Sequence, residues 1–154
     1  MPSSNRASSP RRVTLEVGQK FQVTLEKIAH GGHFIARHNG AVIFVRHAIP
    51  GEQCTIEITS TGSSFNRGDV VDVIAPSEFR VQPPCQYAHK SGCGGCDFQH
   101  ITLAYQRELK SNVISEQFSR IAKKEIQVEV EEIGPAIGWR TRAIATTNRN
   151  GKLG

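Results

Sequence analysis

Three cysteines, at positions 85, 93 and 96, lie in the stretch CQYAHKSGCGGC, with the pair Gly94-Gly95 inside the tighter interval. Two residues between thiolates let both sulfurs reach one inorganic centre. Paired glycines permit the left-handed turns and the close amide approach that such a knuckle needs. Cys85, its approach stiffened by Pro83-Pro84, can supply a third sulfur across the loop. The pattern predicts a metal site on Cys85, Cys93 and Cys96. Two kinds of centre fit it: zinc, with a histidine or a remote cysteine as fourth ligand, or an iron–sulfur cluster completed by a remote cysteine. His89, inside the loop, and His100, just after it, are the histidines within reach of a zinc site, although packing at a helix start is the expected role of His100. Cys54 falls on the apolar face of a strand pattern and is expected to be a buried small hydrophobe. A redox role for Cys93 and Cys96 fits poorly, because redox C-x-x-C pairs open a helix in a βαβ context and this pair follows two prolines.

The elements that must carry this loop are legible on both sides of it. From Lys20 to Ala75 the pattern is one of short strands. FQVTLEKI alternates Phe21, Val23 and Leu25 with polar residues, and CTIEI sets Cys54, Ile56 and Ile58 on one face. FIARHNGAVIFV contains Asn39-Gly40, a type I′ hairpin signal, since both central residues of that turn need φ > 0. TGSSFNRGD reads as a turn-rich loop, and VVDVIAP closes the set. Five strands joined by Gly-rich turns predict a small closed antiparallel barrel, because closure removes exposed sheet edges. The barrel is assigned to residues 16–77 and the cysteine-rich loop to 78–100.

After the loop the period changes. ITLAYQRELKSNVISEQFSRIAKK predicts a helix over about 102–122, with Thr102 capping its start and Lys123 and Lys124 at its C-terminal dipole end. Apolar residues recur at Tyr105, Leu109 and Val113, and again at Ile114, Phe118 and Ile121. EIQVEVEEI predicts a strand over about 126–133, and a second strand is expected over about 139–147, before another hairpin signal at Asn150-Gly151. A hairpin with one arm leaves its ladder unmade. Residues 101–154 are therefore expected to be the start of an α+β domain that continues in further chain.

Composition bounds the partners. The 154 residues carry a net charge of +5, which makes polyanions plausible partners. No apolar run is long enough to span a bilayer, and no membrane partner is expected. Residues 1–15 have arginines without a following apolar region, so they read as a disordered basic tail rather than a secretory signal. The expected compartment is the cytoplasm, where clustered cysteines bind metal more often than they form disulfides. The expected state is a monomer.

VTLEKIAHGGHFIARHNGAVIFVRHAIPGE, with FNRGDVVDVIAPSEFRVQPPC, resembles the TRAM domain, a small OB-like RNA-binding β-barrel. CGGCDFQHITLAYQRELK resembles the segment that follows it in bacterial RNA uracil-C5 methyltransferases, which use S-adenosylmethionine on ribosomal or transfer RNA. The resemblance implies a [4Fe–4S] cluster on Cys85, Cys93 and Cys96, with its fourth cysteine beyond Gly154. The interval between Cys85 and Cys93 is longer here than in that family. The family's S-adenosylmethionine site and catalytic residues lie further downstream, and no Gly-rich strand-to-helix motif matches them here. On this resemblance the chain is the RNA-binding, cluster-bearing portion of such an enzyme, without its catalytic domain. The alternative is a free-standing RNA-binding module with structural zinc.

RNA is gripped through phosphates by Lys and Arg and through unstacked bases by aromatic rings. The residues expected to do this are Lys27, Arg37, Arg46, Phe65 and Arg67 on the barrel and Arg140 and Arg142 after the helix. His33, His38 and His47 lie in or beside the same loops, and Phe65 with Arg67 is the best pair for stacking plus phosphate contact.

Overall fold

The computed structural model describes residues 14–90, 92, 94–142, 147 and 149–151. Five strands form its sheet: β1 (Lys20–Thr24), β2 (Phe34–His38), β3 (Ala41–Arg46), β4 (Gln53–Ser60) and β5 (Asn66–Ala75). Their order is β1-β4-β5-β3-β2. The chain just after β1 closes the barrel: Glu26 N donates to Ile35 O at 2.8 Å and Ile35 N to Lys27 O at 2.8 Å. Asn39 and Gly40 take φ of 47° and 81°, so the β2–β3 hairpin turns as its sequence requires.

The alternation read in FQVTLEKI and CTIEI is the alternation observed. Val23, Leu25, Cys54, Ile56 and Ile58 point into a core completed by Phe34, Ile43 and Val45 of the β2–β3 hairpin and by Ile49. Leu15 is also in this core at 4% exposure, so the tail expected over 1–15 ends at least one residue earlier; residues 1–13 lie outside the described residues.

The sheet is mixed rather than wholly antiparallel. β3 pairs with β5 in parallel, Ile43 opposite Asn66 and Arg46 opposite Asp69. The stretch Asn66–Asp69, expected to be loop, is the first part of β5. Its composition is turn-like, but Gly68 is there for space: a Cβ on it would come within 3.0 Å of Glu57 O on β4. Contact across the sheet thus overrides local propensity.

The helix expected over 102–122 is α1 (Leu103–Gln117), continued by a π-helical turn, Phe118–Ala122, that ends on Lys123 with φ 55°. Thr102 precedes it but makes no side-chain cap. Instead Gln106 Nε2 reaches back to the carbonyls of Phe98 (3.0 Å) and Ile101 (2.9 Å). The two apolar series have different fates. Leu109 is buried with the barrel core and Tyr105 and Val113 pack beside it, while Ile114, Phe118 and Ile121 stay exposed.

Residues 126–130 keep the expected alternation, with Ile126, Val128 and Val130 half-buried, and Val130 N donates to Ser111 Oγ of α1 at 3.2 Å. Among the described residues, however, 126–133 belongs to no ladder, so the expected strand is an extended segment against a helix: alternation specifies a face, and a strand also needs a partner. Of the second expected strand, 139–142 is likewise unpaired among the described residues, and 143–146 lies outside them. No helix is long and apolar enough to cross a membrane among the described residues.

Candidate nucleic-acid interface and cysteine loop

Four side chains meet on one outer face of the barrel. Phe44 alternates outward from β3, next to the inward Ile43 and Val45. Phe65 immediately precedes β5 and is 41% exposed. Their rings meet edge to face at 5.1 Å between centroids. Arg67 of β5 places its guanidinium carbon 5.5 Å from the Phe65 centroid, a cation–π arrangement. His33, at the start of the β2 hairpin, sits edge-on to Phe44 at 6.2 Å, and its Nε2 lies 3.1 Å from Arg67 Nη1. A guanidinium can only donate, so Nε2 is the acceptor and the imidazole proton is on Nδ1. Burial, then the Arg67 charge, pushes the His33 pKa below its ordinary 6.5, which keeps the ring in this neutral form.

The other expected RNA contacts are held elsewhere. Arg46 forks onto Asp69, Nε to Oδ1 and Nη2 to Oδ2 both at 2.9 Å, and that hydrogen-bonded carboxylate raises its pKa. Lys27 pairs with Glu116 of α1 at 2.6 Å, and Arg37 with Glu26 at 3.2 Å. Arg140 lies over the Trp139 ring at 4.9 Å. Trp139 in turn lines, with Cys96, Phe98 and Leu103, a groove of about 770 Å³. Arg142 is exposed. The structure therefore joins Phe65 and Arg67 to each other and leaves the remaining five at separate ion pairs or surfaces. Sequence reasoning singled out Phe65, Arg67 and His33 but missed Phe44. Its signal was present: in AVIFVR a phenylalanine occupies the outward phase of a strand that already fills its inward phase with Ala41, Ile43 and Val45.

A second feature had no signal in the local pattern. Glu52, fully buried, accepts from Arg80 Nε (2.5 Å) and Nη2 (2.6 Å), from Ile49 N (2.9 Å) and from Ser77 N (3.1 Å). Arg80 Nη2 also donates to His47 O at 2.9 Å. His100 is buried beside it, its Nε2 donating to Ala48 O at 2.9 Å, and burial lowers its pKa to about 4. This knot fastens the β3–β4 turn, Pro50-Gly51-Glu52, to both ends of the cysteine loop, since Val81 N donates to His100 O (2.9 Å) and Thr102 N to Phe79 O (2.9 Å). Phe98 completes the attachment, lying 5.9 Å from Phe34 and against Gly32, where a Cβ would meet its ring at 3.3 Å.

The loop itself is folded by short local contacts. Ala88 N donates to Cys85 O (3.0 Å), Gly92 N to His89 O (2.9 Å), and Cys85 N to Gln99 Oε1 (3.2 Å), which holds the two ends of the loop together. Lys90 ties it to Glu57 of β4 at 2.8 Å. Gly94 has φ 69°, the left-handed conformation the cysteine spacing called for. Cys85 is half-buried and Cys96 exposed, and both are free thiols. Cys93 lies outside the described residues, and among those described no three metal-ligating side chains converge. Soft, unbridged sulfur donors on a loop with a left-handed glycine fit a thiolate-held centre. The histidines fit less well: His100 Nε2 is committed to Ala48, and His89 Nδ1 donates to Lys90 O at 2.6 Å. Cys54 is the packing residue it was expected to be, fully buried, with its thiol pushed up to about 12 by burial and then by Glu52.

Residues 14–71, which include all but the end of this small five-stranded β-barrel, match the TRAM domain. Over 90% of its length the chain is 38% identical to a protein of Streptomyces coelicolor named an uncharacterized RNA methyltransferase. A second protein so named, from Streptomyces avermitilis, is 39% identical over 90% of this chain. The 23S rRNA (uracil(1939)-C(5))-methyltransferase RlmD of Vibrio campbellii is 30% identical over 90% of it. The chain spans about a third of the length of these curated relatives: 33%, 35% and 31%. The resemblance drawn from the sequence, to the TRAM-bearing portion of an RNA methyltransferase, is thus matched by relatives across most of the chain.

Proposed function

We propose that this chain is the RNA-recognising portion of an RNA uracil-C5 methyltransferase acting on ribosomal or transfer RNA. The observation that carries this is a TRAM barrel, with Phe65 and Arg67 together on its surface, inside a chain similar over nine-tenths of its length to proteins named RNA methyltransferase. Arg67 supplies phosphate contact and Phe65 an aromatic surface, which are the two ways a protein holds folded RNA. Lys27, Arg37 and Arg46 are assigned further contacts elsewhere on the barrel, each already paired with a carboxylate. Arg140 and Arg142 are assigned a second contact region. S-adenosylmethionine and the reacting groups belong to the remainder of such an enzyme.

Cys85, Cys93 and Cys96 are assigned to a [4Fe–4S] cluster whose fourth cysteine comes from outside these 154 residues. Bound, the cluster would cross-link the loop to the rest of the enzyme. Its proposed role here is that structural cross-link.

RNA binding is tested by fluorescence anisotropy with a labelled structured ribosomal RNA fragment across a potassium chloride series. Affinity is expected to fall linearly on a log–log plot as salt rises, because phosphate contacts release counterions. Arg67→Ala is expected to weaken binding and reduce that slope by about 1. Affinity indifferent to salt would overturn the assignment.

A further inference from the structure

Arg67 differs from the other well-placed cations. Lys27, Arg37, Arg46 and Arg80 each sit within ion-pair distance of a carboxylate. Arg67 has no such pair among the described residues; what holds it is a neutral imidazole and a phenyl ring. A carboxylate in the place of His33 would orient the guanidinium equally well, but it would also cancel its charge. His33 orients without cancelling, and it uses only Nη1, leaving Nε and Nη2 for an incoming anion. Phe44 edge-on to both Phe65 and His33 fixes the two rings. The result is a guanidinium aimed in advance beside an exposed phenyl, and less conformational freedom remains to be lost on binding.

We propose that His33, Phe44, Phe65 and Arg67 form a site for one unpaired RNA base and its adjoining phosphate, with His33 as the positioning residue for Arg67. The base stacks on the Phe65–Arg67 surface, and the phosphate takes the free N–H groups of Arg67. This rests on the RNA-binding assignment and narrows it: the barrel selects a single-stranded, unstacked nucleotide rather than duplex backbone. Single-stranded recognition by β-barrel modules works through such stacking, which tolerates any base because every base has a π-face. The charged groups that act on His33 are Arg67 of β5, Arg46 of β3 and Asp97 of the cysteine loop.

The test compares two labelled probes against the full chain: a short single-stranded oligouridine, and a strand of the same length and charge in which every residue is abasic. The intact strand is expected to bind about 5- to 150-fold more tightly, the range that stacking of one base supplies. Phe65→Ala should remove the difference between the probes. His33→Gln keeps a neutral acceptor near Arg67 and should retain most of the difference, whereas His33→Ala should lose most of it. His33→Glu should weaken both probes and flatten the salt dependence, because it neutralises Arg67. Equal binding of the two probes by the unmodified chain, or a His33→Glu chain that binds like it, would overturn this site while leaving RNA binding in place. Failure to bind either probe or the structured RNA would overturn both.

Discussion

At the scale of single residues, the buried histidine is the group whose protonation matters most to stability. His100 has its pKa lowered from 6.5 to about 4, first by burial. The unfolded chain therefore takes up this proton more readily than the folded one, so its contribution to stability is complete above the ordinary pKa and is lost as pH falls through the interval down to the folded value. A shift of that size is worth about 3 kcal/mol. The lowered pKa values of His33 and His47 act in the same direction. Urea midpoints measured from neutral pH downward should decline over this interval, and His100→Gln, which can still donate to Ala48 O, should flatten the decline. An undiminished slope in that variant would assign the effect to other groups.

At the scale of elements, the decisive joint is the one between the β3–β4 turn and the segment entering the cysteine loop. Glu52 is fully buried and receives two hydrogen bonds from Arg80 and two from backbone amides. Removing the guanidinium would leave a charged carboxylate in the core. Arg80→Ala is therefore expected to cost about 3–5 kcal/mol of stability, measured by denaturant unfolding. The double variant Glu52→Gln with Arg80→Met should cost less than Arg80→Ala alone, because it removes the stranded charge. If the single and double variants were equally destabilised, packing around Arg80 rather than its charge would be responsible.

At the scale of the whole molecule, barrel, loop and helix share one interior. Ile101 and Leu109 lie in the same buried cluster as Phe34 and Ile43, and Phe98 packs on the barrel between them. A metal centre on the loop would therefore be attached to the barrel through a packed interface and not a flexible tether. The expected outcome of anaerobic preparation of an enzyme containing this segment is brown protein with iron and acid-labile sulfide in equal amounts. Cys96→Ser should deplete both. Zinc without iron in that preparation would replace the cluster with a structural zinc site.

Much of this was written in local pattern. Alternation in FQVTLEKI and CTIEI placed Val23, Leu25, Cys54, Ile56 and Ile58 inside, because a pleated strand shows successive side chains to opposite faces. Asn39-Gly40 fixed the hairpin, because its two positive φ angles are cheapest for those residues. The period of the helix was equally plain. What depended on distant chain was not: the parallel seat of Asn66–Asp69 on β3, the lack of a partner for 126–133 among the described residues, and the Glu52–Arg80 pair spanning 28 positions. The stacking of Arg67 on Phe65 was legible because the two are neighbours in sequence, but the choice of His33, rather than a carboxylate, to hold that guanidinium came from packing. Local sequence specifies which face a residue presents; only the closed barrel decides what stands opposite it.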